Sequence, residues 1–253
     1  MLRTRVIPCL LLSDSDLVKT VKFAKPRYIG DPVNAVKIFN EKEVDEIIFL
    51  DISRLRSNKK PNFGLIEELA SECFMPMTYG GGVKNMDHVK KLFNLGIEKV
   101  AVGSAAYENP GFLNEIANQF GAQSVVLTIN IKRTVLGKYR GYDPGRRRSL
   151  KGQSLEKFLT RFSEVKFGEV LVNDVDREGT GLGYDCELIR YLSLQFDTPV
   201  TICGGAAKID DFKTAVEAGA HAVCAGSMFV YHGPRQAVLI NYPPYKQLCE
   251  LLD

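Results

Sequence analysis

Short apolar runs alternate along the chain with longer stretches whose apolar residues recur at helical spacing. VIPCLLL (6–12), EIIFLD (46–51), PMTY (76–79), KVAVG (99–103), SVVLTINI (124–131), EVLVND (169–174), PVTIC (199–203) and HAVCAG (221–226) have the unbroken hydrophobicity of parallel strands covered on both faces. Between them, DPVNAVKIFNEKE, FGLIEELASEC, MDHVKKLFNLG, GFLNEIANQFG, LEKFLTRFSEV, DCELIRYLSLQ and DDFKTAVEAGA read as amphipathic helices, several of them stopped by glycine. Helices between consecutive strands imply right-handed βαβ units and a parallel sheet.

An internal repeat sharpens this reading. Residues 76–106 align without a gap on residues 199–229, a constant offset of 123, with Pro, Thr, Gly-Gly, Asp, Lys, Gly, Val and Gly-Ser identical. The same offset carries Glu46 and Asp51 onto Glu169 and Asp174. The pattern predicts an α/β chain forming a single (β/α)8 TIM barrel with duplicated half-barrels, one domain over residues 1–253.

Length alone, 253 residues, fits either two small domains or one barrel of about 250 residues, and the repeat favours the barrel. The chain is 45% hydrophobic and 25% charged with a formal net charge of +3, the proportions of a globular protein. No window approaches the roughly 18 consecutive apolar residues of a membrane span, and no small-residue cleavage site follows the first apolar run. A cytoplasmic location is expected, with neither membrane nor nucleic acid as a partner. Cys9, Cys73, Cys186, Cys203, Cys224 and Cys249 form no C-x-x-C and are expected as thiols. His88, His221 and His232 lie far apart, so no metal site is expected, and no cofactor is implied.

Candidate chemistry clusters at the strand ends. Gly80-Gly81-Gly82 with Gly103-Ser104, and Gly204-Gly205 with Gly226-Ser227, offer backbone N–H groups unobstructed by a Cβ, the geometry that cradles phosphate. Turns also use glycine for conformational reasons alone, but the paired recurrence points to two phosphate sites facing each other across the barrel mouth. Asp174-Val-Asp176-Arg177-Glu178-Gly179-Thr180-Gly181 adds carboxylates, a hydroxyl and further N–H groups, with Asp51 at the equivalent end of the second run. General acid–base work needs ionisable groups at such positions. The first run instead ends in Cys9-Leu10-Leu11-Leu12 and the fifth in Ile129-Asn130-Ile131, and neither Leu nor Asn transfers protons.

At the opposite ends stand Arg5, Glu46, Lys99 and Glu169, read from spacing either as a solvated rim or as a ring of ion pairs closing the axis. The longest interruption, 132–152, holds an expected hairpin around Leu136-Gly137 and a basic cluster of Arg146, Arg147, Arg148 and Lys151, either solvated or poised to capture an anion.

RVIPCL, GDPVNAVKIFNEKEVDEIIFLDI, TYGGGV, ENP, FGAQSVV, GEVLVNDVDREGTGLGYD, CGGA and AGSMF follow, in order, the pattern of the cyclase subunit (HisF) of imidazole glycerol phosphate synthase, and the chain resembles that family over nearly its whole length. The resemblance implies a duplicated barrel, a substrate with two phosphates, a HisH-like glutaminase partner, and ammonia entering a charged gate and travelling along the axis. It assigns phosphate contacts to Gly81, Gly82, Gly103 and Ser104 on one side and to Gly179, Gly204, Gly205, Gly226 and Ser227 on the other. Lys19 matches the family's lysine on the flexible first loop, and the gate falls on Arg5, Glu46, Lys99 and Glu169.

The departures are specific. The family's two acid–base aspartates fall on Leu11 and Asn130, and Gly103 replaces a usual Asn. Loss of proton-transferring groups costs about 10² to 10⁴ each in rate. PCLLLSDSDLVKTVKF and YHGPRQAVLINYP resemble the WbuZ-type barrels associated with amidation of N-acetyl sugars, which implies an ammonia-conducting subunit serving a sugar amidotransferase in surface-polysaccharide synthesis. The alternative is a genuine synthase subunit, a lyase of histidine biosynthesis, in which Asn130, Asp51 or Asp176 compensates. A HisA-like isomerase meets the same objection, since it too needs carboxylates on the first and fifth strands.

Overall fold

The computed structural model describes residues 4–54, 59–150 and 154–252. Its strands in chain order are β1 (Arg5–Ser13), β2 (Asp16–Val21), β3 (Ala24–Gly30), β4 (Ile47–Asp51), β5 (Met77–Gly80), β6 (Lys99–Val102) and β7 (Val125–Arg133). They continue as β8 (Tyr139–Asp143), β9 (Arg148–Ser149), β10 (Glu169–Asp174), β11 (Val200–Cys203) and β12 (Ala222–Ala225). Eight of them, β1, β4, β5, β6, β7, β10, β11 and β12, pair in parallel in that order, and β12 returns to β1, so the barrel closes. The eight apolar runs of the sequence are these eight strands.

Several helices begin where a side chain satisfies an orphan N–H. Asp31 accepts from Asn34 N at 2.8 Å ahead of Pro32 and the helix Pro32–Glu41, and Asn85 accepts from His88 N at 2.9 Å ahead of Met86–Asn94. The helices bury one face on the outside of the barrel, where Val36, Phe39, Leu92, Ile116, Leu188 and Phe212 are fully covered. A second, smaller core fills the barrel itself with Ile7, Ile48, Ala101, Val126, Leu171 and Cys224. Alternation along each strand sends every second residue into this interior and leaves the others for the helices.

Two hairpins rise from the mouth. The expected one joins β7 to β8, and its basic end lies in the described residues up to Leu150, Lys151 falling outside them. The other was not expected: the segment around Lys19, expected as a flexible loop, folds back as β2 and β3, antiparallel to the end of β1. All six cysteines are thiols. Among the described residues no helix is long and apolar enough to cross a membrane.

Candidate functional site

At the floor of the barrel four charges meet. Arg5 donates to Glu46 through Nη1 and to Glu169 Oε1 through Nη2 at 3.0 Å. Lys99 Nζ donates to both oxygens of Glu46, at 3.0 and 2.9 Å, and to Glu169 Oε2 at 3.1 Å. Thr78 and its repeat mate Thr201 add a hydroxyl each, to Glu46 at 2.8 Å and to Glu169. The ring is therefore electrically neutral, hydrogen-bonded throughout and contributed by β1, β5, β6, β10, β11 and the residue preceding β4. Burial opposes the Glu169 carboxylate, but the charges of Arg5 and Lys99 and the Thr201 hydroxyl outweigh it and hold the carboxyl below its ordinary range. Burial likewise opposes the Arg5 charge, and Glu169 and Glu46 reverse it, keeping the guanidinium protonated. Side-chain exposure of 30% at Arg5 and 21% at Lys99, against 4% and 7% at the two glutamates, shows that the cations face the lower surface.

Above the ring the barrel is apolar, and above that it opens into a cavity of about 710 Å³. The glycine loops line its two sides. Gly81 and its repeat mate Gly204 share a left-handed backbone, φ +123° and +113°, and each presses on the carbonyl of a repeat-related aspartate: a Cβ would lie 2.5 Å from Asp51 O and 2.8 Å from Asp174 O. Gly82, Gly103 and Ser104 complete one side, while Gly179, Gly205, Gly226 and Ser227 complete the other. Lys19, on β2, turns inward, is buried, and donates to Cys9 O at 2.8 Å. Lys19 Nζ packs on Gly226, where a Cβ would sit 1.9 Å from it and 2.9 Å from Cys9 O.

Between the two sides, Leu11 and Asn130, the residues expected at the acid–base positions, line the cavity. Asn130 is held rigidly. Its N and Nδ2 donate to Tyr107 Oη at 3.0 and 3.3 Å, its Oδ1 accepts from Asn173 Nδ2 at 3.0 Å, and Tyr107 Oη donates to Thr128 O at 3.0 Å. Sequence reasoning passed over Tyr107, Thr128 and Asn173. Asn173 follows from strand alternation, two residues from Leu171 on the inner face, whereas Tyr107 comes from a helix and carries no such signal. Thr128 Oγ1 is buried beside the cavity without a partner among the described residues. Three thiols, Cys9, Cys203 and Cys224, line the inner wall. A hydrogen bond from Cys203 lowers the Cys9 thiol, against the opposing effect of burial and with help from the Lys19 charge.

The remaining candidates lie elsewhere. Asp51 is at the cavity edge but its carboxylate is occupied: Oδ1 accepts from Ser53 N and Oγ at 3.1 and 2.6 Å, and Oδ2 from Arg54 Nε at 2.9 Å and Tyr79 Oη at 3.5 Å. Asp176 is not brought into the cavity; its Oδ2 accepts from Arg133 N at 2.7 Å on the outer side of the mouth. Glu178 does reach the cavity, yet Oε1 accepts from Thr20 Oγ1 at 2.8 Å and Oε2 from Phe23 N at 2.9 Å, pinning the β2–β3 hairpin across the opening.

Comparison with known proteins agrees with this geometry. A model of a family described as histidine biosynthesis protein matches residues 5–234. Over 249 residues, 98% of this chain and 99% of the relative, the sequence is 46% identical to a Pseudomonas aeruginosa protein provisionally named imidazole glycerol phosphate synthase subunit hisF2. It is 41% identical, over 249 residues and 96% and 94% of the two chains, to a Vibrio vulnificus protein provisionally named subunit hisF3 of the same synthase. A Streptomyces avermitilis protein named imidazole glycerol phosphate synthase subunit HisF is 39% identical over 228 residues, 90% of each chain.

Proposed function

The chain belongs to the histidine-biosynthesis protein family, among its HisF-type imidazole glycerol phosphate synthase subunits, and from that premise we propose that it conducts ammonia without closing the imidazole ring. In this reading a HisH-like glutaminase docks beneath the barrel, ammonia enters through the ring of Arg5, Glu46, Lys99 and Glu169, and it emerges at the mouth for use by a sugar amidotransferase in surface-polysaccharide synthesis. The apolar interior above the ring suits the neutral molecule and disfavours ammonium, whose desolvation would cost several kcal/mol, on the order of that of any buried ion.

The observation that carries this proposal is the contrast between the two ends of the barrel. The floor retains four mutually paired charges, whereas the mouth offers Leu11 and an Asn130 whose carboxamide is already hydrogen-bonded at both ends.

The glycine loops and Lys19 favour the second reading, a working cyclase of histidine biosynthesis, because they keep the means of holding phosphate. That reading requires a carboxylate free to act inside the cavity, whereas Asp51 is hydrogen-bonded at four acceptor sites, Asp176 lies outside the cavity lining and Glu178 is held by Thr20 and Phe23.

The test is reconstitution with the cognate glutaminase. Glutamine hydrolysis should accelerate on mixing, and with the amidotransferase and its sugar added, nitrogen from amide-labelled glutamine should appear in the sugar; Arg5→Ala should lower that transfer. Absence of both complex and stimulation overturns the proposal.

A further inference from the structure

Strand alternation stacks the inner face of β7 in steps. Val126 belongs to the apolar wall that Ile7, Ile48, Ala101 and Leu171 continue around the barrel, and the next two inward residues are Thr128 and Asn130. Thr128 stands in register with Leu171, and Asn130 with Asn173 one step nearer the mouth. The apolar wall therefore gives way to Thr128, Asn130 and Asn173, which line the cavity and are only 7%, 5% and 6% exposed.

The Thr128 hydroxyl has no hydrogen-bond partner among the described residues, and the repeat shows why. Cys9 is in register with Ile48 as Thr128 is with Leu171, and Ile48 and Leu171 are mates at the offset of 123, so Thr128 takes in the second half the place of Cys9 in the first. Cys9 receives a hydrogen bond from Cys203. The mate of Cys203 is Gly80, which has no side chain to offer Thr128. A Cβ at Gly80 would lie 2.9 Å from Ala101 Cβ and 3.0 Å from Leu50 Cδ2, so no other residue can supply one there. The Thr128 methyl is the γ atom nearer Gly103, which turns the hydroxyl away from that loop. A buried hydroxyl left in this state costs free energy that a small polar visitor would recover.

Resting on the reading that the barrel conducts ammonia, we propose that Thr128, Asn130 and Asn173 form a holding site for one ammonia molecule where the apolar interior meets the cavity. Ammonia has one lone pair and three N–H groups. The Thr128 hydroxyl donates to the lone pair. The N–H groups donate to Asn173 Oδ1, which accepts nothing among the described residues, and to the lone pair that Asn130 Oδ1 keeps beside its bond from Asn173 Nδ2. Tyr107, bonded to Asn130 N and Nδ2, holds the carboxamide in place. The set contains no carboxylate, so it favours the neutral molecule over ammonium, whose charge would be buried uncompensated.

Titration of the intact, nitrogen-15-labelled protein with ammonium chloride, against sodium chloride at equal ionic strength, reads the site through the Asn130 and Asn173 side-chain amide resonances. Free ammonia is abundant in such a solution at about pH 9 and scarce at about pH 6, as for any amine titrating near the alkaline end. The resonances should shift saturably at the higher pH and hardly at the lower. Thr128→Val should weaken the response about five- to tenfold, the worth of one hydrogen bond, and Thr128→Ser should bring it back to within about twofold. Because valine removes an unpartnered hydroxyl, Thr128→Val should also melt no lower than the wild type. No response, a response that follows total ammonium at both pH values, one that Thr128→Val leaves unchanged, or a lower melting temperature in that variant overturns the holding site and leaves conduction standing. A positive titration by a protein that forms no complex with the glutaminase overturns conduction, and with it the role assigned to the site.

Discussion

Asp51 and Asp174 occupy the same place in the two half-barrels, 123 residues apart, and are followed at the same distance by Arg54 and Arg177. Arg54 pairs with Asp51, but Arg177 turns its guanidinium to Leu182 O and Gly183 O at 2.7 and 3.1 Å, and among the described residues Asp174 has no cation paired with it. Burial first, and the neighbouring Asp185 second, push Asp174 up to about 6, despite two backbone N–H groups donated to it. Folding therefore favours its protonated form. The stability this provides is complete below the ordinary carboxyl value near 4 and is lost as the pH rises through about 6. Asp174→Asn should accordingly stabilise the protein by about 2 kcal/mol at pH 7.5 and by almost nothing at pH 4, measured by urea unfolding at both; a gain independent of pH would mean that the charge is not the cause. The repeat in the sequence makes the two aspartates equivalent, and nothing in it reveals that one arginine has found a different partner. Tyr107 escaped notice for a similar reason: its hydroxyl joins Asn130 to Thr128 O from a helix that follows a different strand.

The eight barrel strands were legible because burial on both faces demands continuous hydrophobicity, and the helices because one buried face imposes a period. The β2–β3 hairpin has neither signature. All but the last two residues of β3 are exposed, and the turns are made by Asp14, Lys22, Phe23 and Lys25 at φ of 47° to 59°, where glycine or asparagine would have announced them. Its position depends on Glu178, which holds Thr20 and Phe23 from the loop after β10. Glu178→Ala should speed amide exchange at Phe23 and its neighbours about tenfold, in line with about 1–1.5 kcal/mol for a lost hydrogen bond, while the barrel strands exchange as before. Unchanged protection would show that packing of Phe23 against Tyr142, 6.1 Å between ring centroids, suffices on its own.

Across the whole molecule, charge is concentrated where the strands converge at the floor and is largely neutralised at the centre of the mouth. The floor ring ties distant strands together, so removing one member leaves buried charge uncompensated. Lys99→Met should destabilise by about 3 kcal/mol at neutral pH, the scale of breaking a buried pair, as read by denaturant midpoint. Because Glu169 is held below its ordinary range, its contribution is present above about pH 4.5 and fades as the pH falls further, and the penalty in Lys99→Met should shrink with it. The centre of the mouth carries the account's main claim, and ring closure by the isolated protein tests it most directly. Supplied with the bis-phosphate precursor and saturating ammonium salt, with no glutaminase present, the wild-type protein should turn over at least about 10⁴-fold more slowly than an ordinary enzyme at about 10 s⁻¹, and Leu11→Asp with Asn130→Asp should recover part of the loss. Wild-type turnover within about tenfold of that ordinary rate would contradict it.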